Sequence, residues 1–447
     1  MTPGDGAPSA PRAAGFVRGL SLAGVVALIA GNMLGTSLYT LPASLAQQVG
    51  PIGLLSWLIT AAGFFLLAIL YGSLGTRFPR TGGPYVFARE AFGDFAGFQT
   101  VWMYWLSAAV GNAAIVTGGI AYFTRLFPVL NESLWYQFFL AEGILWTLCT
   151  LNVLGIKIGA RVQMAILLFS LVPLTLLGMV LFHFDPANLH PFAPKGIGAL
   201  ATGSALLVWA FSGIESATVP AEEVDQPGKM IRLGTMLGFG VATLVFFVFA
   251  LAVTGVLPND VVASSAHPLE LAAQQVLGPR AAFWVSVGAV FASLGVLNGW
   301  TLMVGRIPFS AAEDGIFFRA FGRLHPRYGT PHVALITGTL VAALLIPLYF
   351  VKGTLLDVFT LLILLANLGA LFPYLYNSAA ALMLARRPGG DWSPAFRRRT
   401  QAIALVCFLF LLWATYGVGQ EVIFYGFIVM MAGVPLYIWF KTSERAP

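Results

Sequence analysis

Apolar runs of roughly 20 residues, the length that crosses a bilayer as a helix, recur along almost the whole of this 447-residue chain. Pro, Gly or charged residues separate them, and twelve can be delimited: 19–45, 53–76, 97–123, 135–154, 162–183, 202–222, 233–256, 281–305, 332–351, 355–384, 401–417 and 422–440. Hydrophobic residues make up 58% of the chain and charged ones 9%, against about 25% charged in soluble domains, which excludes a soluble globule. The runs are continuously apolar rather than alternating, so helices are expected and a barrel is not. The fold class is therefore an all-α polytopic membrane protein with about 12 transmembrane helices.

The charges give the orientation. With twelve spans both ends lie on one side, and 20 of the 24 Lys and Arg residues fall there. Only Arg125, Lys195, Arg280 and Lys352 fall on the other. Positive-inside bias puts both termini in the cytoplasm, and the plasma membrane (the inner membrane, in a bacterium) is the expected location. Residues 1–18 lack the apolar centre of a signal peptide and read as a disordered cytoplasmic tail. Residues 441–447 form a second tail. No basic stripe interleaves with aromatics in a soluble segment, which argues against nucleic acid despite the net charge of +6. The two cysteines, Cys149 and Cys407, fall in separate apolar runs and form no metal pattern.

Two spans interrupt themselves. The first reads LIAGNMLGTSLYTLP, with Gly35-Thr36-Ser37 at its middle, and the sixth reads LLVWAFSGIESATVPAEE, with Ser212-Gly213 at its middle. Gly31-xxx-Gly35 is also a small-xxx-small spacing that serves close helix packing. A second break five spans on favours a ligand site, because unpaired backbone at that depth is tolerated only where it lines a cavity or is buried in protein. Half-helix ends aim positive and negative dipole termini at the gap, which suits a carboxylate and an ammonium respectively. Spans 1–5 (19–183) and 6–10 (202–384) then form inverted repeats, with 401–440 as two added helices.

Glu215 lies just beyond the second break. A carboxylate at that depth costs at least about 2.5 kcal/mol on insertion scales, so it must be protonated, paired or functional. Glu142 lies nearer a span end, where a local pair or snorkelling accounts for it. Glu222, Glu223 and Asp225 fall at the end of span six beside Lys229 and Arg232. All five His are at helix ends or in loops. No HExxH, nucleophile elbow, P-loop or paired-carboxylate site appears, so enzyme chemistry, metal and cofactor are not expected. Tyr104, Trp105, Trp209, Trp300 and Tyr374 lie inside spans, either as core packing or as a cation–π wall. Asn112 needs an amide partner in protein or ligand.

At these residues the chain resembles the amino acid–polyamine–organocation superfamily, and within it the bacterial basic amino acid/polyamine antiporters, arginine/agmatine antiporters most of all. The resemblance runs from about residue 17 to 440 through GNMLGTSLYTLP, YWLSAAVGNAAIV, VWAFSGIESA, LGVLNGWTLMVGR, AAEDGIF and FPYLYNSAAALM. It implies the leucine-transporter fold of five-plus-five inverted repeats with broken helices 1 and 6, often as a homodimer among membrane lipids. It further implies that Gly35, Thr36 and Ser37 receive a substrate carboxylate and that the carbonyls of Met33, Trp209 and Ser212 receive its ammonium. Asn112 would meet the distal guanidinium or amine, and Trp300 would stack on the side chain. Trp209 would be a proximal gate, with Glu215, Tyr104 and Tyr374 as the distal, cytoplasm-side gate.

Departures from the pattern bear on substrate. Gly-Thr-Ser replaces the relatives' Gly-Ser-Gly, crowding the carboxylate corner; Ile115, Ala366 and Ser212 replace a Met, a hydroxyl residue and an Ile. Losing a polar partner weakens polar recognition, so a cationic amino acid or amine is expected rather than arginine specifically. An intact carboxylate corner would favour an amino acid as one partner. Sodium-independent symporters of the superfamily the chain resembles can place a Lys in span five. This span has no charged residue in its interior, and with no acidic cluster for sodium the resemblance implies exchange driven by the substrate gradients. The expected function is antiport of a cationic amino acid against another or its decarboxylated amine; the alternative is a proton-coupled symporter of neutral or small amino acids.

Overall fold

A computed structural model describes residues 21–155, 178–219, 221, 224, 226–350, 354–386 and 393–443. Among them the regular structure is helical. Ser21 opens α1 (Leu22–Met33) by accepting from the Gly24 N–H at 3.3 Å. After two unwound residues α2 follows (Thr36–Gln48), then α3 (Gly53–Arg77), α4 (Pro84–Phe92), α5 (Asp94–Leu126) and α6 (Leu134–Leu154). The second half contains α7 (Ala199–Phe211), α8 (Pro227–Val256), the short α9 (Asn259–Ser264) and α10 (Pro268–Leu277), then α11 (Pro279–Glu313) and α12 (His332–Ala343). The chain continues with α13 (Leu355–Leu384), α14 (Pro394–Val418) and α15 (Gln420–Ser443). Proline stands in the first turn of α4, α8, α10, α11 and α14, where its missing N–H would have had no helical partner anyway.

Nine described segments, with α1 and α2 taken as one, are long and apolar enough to cross a membrane; α7 and the α12 segment are shorter apolar helices. The expected fifth span lies mostly outside the described residues, as do the tail 1–18 and Glu222, Glu223 and Asp225. Boundaries differ from expectation at a few ends. Helix α11 continues to Glu313 because Pro308 sits inside it without ending it. Helix α12 stops at Ala343, ahead of Pro347, whose ring and absent N–H oppose a further α-turn.

Helix α5 is the centre of the bundle and packs along α11 and α13, while α1 packs on α8 and α3 on α8 and α7. Small residues at these contacts, Gly119 of α5 against Ser293 of α11 and Gly369 of α13 against the Met103 carbonyl of α5, let the helices approach closely, as membrane helices require in place of a hydrophobic drive. By contrast, α15 buries only 11% of its apolar window. Glu142 receives the Trp146 indole N–H at 3.0 Å one turn along α6, the local pair expected of it.

Both interrupted spans are interrupted in the fold. Helix α1 ends at Met33, with the Leu34 N–H closing on the Ala30 carbonyl at 2.8 Å, and α2 starts afresh at Thr36. Helix α7 ends at Phe211, and residues 212–219 run as turns. Gly213 turns this second corner at φ +116°, a conformation that side chains with a Cβ rarely adopt.

Candidate transport site between the two broken helices

The carboxyl ends of α1 and α7 and the amino end of α2 converge on one small cavity. Asn32, Met33, Thr36 and Ser37 line it from the first break, Trp209 from α7, and Val296 and Trp300 from α11. Two helix carboxyl ends offer partial negative charge and one amino end offers partial positive charge, an arrangement complementary to an α-ammonium and a carboxylate.

The polar atoms around it divide into committed and uncommitted groups. The Ser37 hydroxyl donates to the Met33 carbonyl at 2.9 Å, and the Gly35 N–H reaches the same carbonyl at 3.0 Å. That carbonyl, expected to meet an ammonium, therefore already receives two donors. The Ser212 hydroxyl donates to the Val208 carbonyl at 2.8 Å. By contrast, the Thr36 hydroxyl is 1% exposed and has no protein partner among the described residues. Gly35 is required by close approach, since a Cβ there would collide with Cγ2 of Val296 and lie 2.7 Å from its Cβ.

Trp209 and Trp300 stack with centroids 6.5 Å apart and 17° between planes, and Tyr104 meets Trp300 edge-on at 6.4 Å. The Trp300 N–H donates to the Asn32 carbonyl at 3.3 Å, tying α11 to the end of α1. Asn112 is 1% exposed, and both its amide oxygen and nitrogen lack a protein partner among the described residues. Asn112, Ile115 and Ala366 are buried in the helix layer of α5 and α13 and are not part of the cavity wall. The Ala366 carbonyl accepts from the Ser107 hydroxyl at 2.7 Å.

Glu215 is fully buried at the second break. The Tyr104 hydroxyl donates to its Oε1 at 2.6 Å, the Tyr374 hydroxyl to Oε2 at 2.8 Å, and the Gly213 N–H to Oε2 at 3.2 Å. Among the described residues no cationic side chain pairs with it. The trio joins α5, the sixth-span break and α13 in one hydrogen-bonded plug, backed by the Tyr71 ring 5.9 Å from Tyr374. On the opposite side, the Tyr122 hydroxyl on α5 donates to the Tyr39 carbonyl on α2 at 2.9 Å, and Ser44 pairs with Thr360 at 3.0 Å. Beyond these, Arg125 meets Glu270 at 3.0 Å and His267 lies 3.5 Å from the same carboxylate. Inter-helix contacts thus tie the bundle together on both sides of the cavity.

Asn32, Ser216 and Val296 belong to the site and were not singled out by sequence reasoning. Asn32 donates to the Ser216 hydroxyl at 2.9 Å, bridging the two breaks. The argument applied to Asn112, an amide at membrane depth, would have found it; Val296 carries no such signal in its residue type.

The described chain matches the family described as amino acid permease over residues 20–440. It is 33% identical over 359 residues to a cadaverine/lysine antiporter of Escherichia coli, covering 78% of this chain and 80% of that protein. It is 28% identical to the putrescine transporter PotE of Haemophilus influenzae over 91% of this chain and 93% of the relative. To PotE of Escherichia coli it is 27% identical, over 91% and 92%. These relatives are transporters rather than enzymes. With its many apolar spans, its two broken helices and a match covering almost its whole length, the chain belongs to the amino acid permease family of the amino acid–polyamine–organocation superfamily.

Proposed function

We propose that the protein exchanges a cationic amino acid for another amino acid or for its decarboxylated amine across a bacterial inner membrane, with both termini in the cytoplasm. The observation that carries this reading is the small cavity between two unwound segments, where opposite helix-dipole ends meet a buried hydroxyl with no partner among the described residues. The ammonium lies at the α1 and α7 carboxyl ends, the carboxylate at the start of α2, and the side chain against Trp300 toward Asn112. The uncommitted amide of Asn112 takes the distal cation once Trp209 and Trp300 make room. Names of the relatives, which pair an amino acid with its amine or carry a diamine, support the same substrate class.

Transport follows by alternating access. The broken helices move against α5, α11 and α13, and the Glu215–Tyr104–Tyr374 plug opens the cytoplasmic path while the Tyr122–Tyr39 contact stays shut, or the reverse. Substrate shifts this equilibrium only by its differential affinity for the open and closed forms.

Counterflow in proteoliposomes tests the reading. Vesicles preloaded with one of lysine, ornithine, arginine, cadaverine, putrescine or agmatine should take up a labelled member of the set, and empty vesicles should not. Accumulation of a labelled neutral or small amino acid in empty vesicles under a proton gradient would instead establish the proton-coupled symporter.

A further inference from the structure

We propose that Val296 is the specificity-determining residue that sets the balance between an amino acid and its decarboxylated amine; the inference rests on the exchange reading of the cavity above. Val296 stands on α11, 5% exposed, and lines the cavity together with Thr36 and Ser37. Its isopropyl group presses on Gly35, such that a Cβ there would lie 2.7 Å from the Val296 Cβ and 3.0 Å from Cγ1. The peptide against which it packs is the one that leads into α2, whose first N–H groups have no partner within the helix.

The corner that would hold a carboxylate is therefore polar on one flank and apolar on the other. On the α2 flank stand the helix amino end and the Thr36 hydroxyl, buried and unpartnered. The other hydroxyl of that flank, Ser37, is spent on the Met33 carbonyl at 2.9 Å. On the α11 flank stand the two methyl groups of Val296. A carboxylate offers about four lone-pair positions, and those turned to α11 lose water and gain no donor. Burying an ionised group without full pairing is penalised. An amine that has lost its carboxylate meets no such penalty, and its terminal methylenes gain contact with the same methyls. Val296 thereby lowers affinity for the amino acid relative to the amine, and lets both partners of an exchange occupy one site.

Lysine and cadaverine, which differ by that carboxylate alone, make the matched probe. Counterflow of a labelled substrate in proteoliposomes is competed with each, and the ratio of their half-inhibitory concentrations is compared between wild type and two variants. Val296→Thr keeps the branched shape and replaces a methyl with a donor; Val296→Ala removes both γ-methyls. The ratio should move toward lysine by about tenfold in Val296→Thr, the effect of one hydrogen bond to a charged group, and by less in Val296→Ala. Ratios within twofold of wild type in both variants, with exchange intact, overturn this inference alone. A wild-type protein that exchanges neither compound overturns the exchange reading and this inference with it.

Discussion

Removing one hydroxyl from the Glu215 plug should raise the open population on that side about tenfold. Tyr104→Phe keeps the ring, with its edge-on contact to Trp300, and deletes the donor that reaches Glu215 Oε1 at 2.6 Å. Tyr374 and Gly213 still donate to Oε2, so the plug is weakened rather than abolished. A hydrogen bond to a carboxylate contributes about 1.5 kcal/mol at the lower end of its range. If opening separates α5 from the sixth-span break, the closed form loses that amount relative to the open one, a shift of roughly tenfold. Ser378 lies one turn beyond Tyr374 on α13, fully buried, and Ser378→Cys provides the reporter. In a background with Cys149 and Cys407 replaced by Ala, a membrane-permeant maleimide should label it about ten times faster when Tyr104 is Phe. Equal labelling rates in the two backgrounds, with transport and thermal stability retained, would refute a gate held by this hydroxyl.

Glu215→Gln keeps the size of the plug but removes its titration; the pH profile of exchange should flatten while exchange persists, and an unchanged profile takes Glu215 out of proton coupling. Gly35→Ala should abolish exchange through its collision with Val296, a clash of about 1–3 kcal/mol, and adding Val296→Gly should restore part of it; absence of rescue means that the loss has another cause. Burial, opposed by Glu270 and aided by Arg125, lowers the pKa of His267 from its ordinary 6.5. The unfolded chain then takes up a proton at this residue before the folded one, so stability falls as the pH drops below about 6.5. His267→Gln should accordingly lose less melting temperature than wild type between about pH 7.5 and about pH 5.5; equal losses refute the assignment. Asp314, held by Arg89 at 2.8 Å and by the Tyr85 hydroxyl at 2.8 Å, joins α4 to the end of α11; Asp314→Asn should cost about 1 kcal/mol, given the partial exposure of its partners, read as a small fall in melting temperature.

The positions of the breaks were legible because glycine beside hydroxyl residues cannot be explained by lipid contact. Glu215 was legible because a lone acid at that depth demands a reason, and the structure supplies two tyrosine donors from helices distant in sequence. What each hydroxyl is bonded to was not legible. Thr36 and Ser37 are neighbours of similar chemistry, yet one is free and the other is committed to Met33. That difference depends on which way each side chain points from the first turn of α2. Asn112 stood out in the sequence as an amide at depth, but that it has no partner among the described residues and lies off the cavity wall was not legible there.

By itself the sequence determined that this chain lives in a bilayer as a helical bundle and where two of its helices unwind. Hydrophobic length and backbone satisfaction in lipid admit few alternatives, and both are local properties of a stretch of chain. Only the tertiary structure decided that the two breaks share a cavity, that Val296 forms one of its walls, and that hydrogen-bonded contacts flank it on both sides. Those facts arise from contacts between residues 83 to 316 positions apart, whose meeting depends on how helices pack and not on what any one segment prefers.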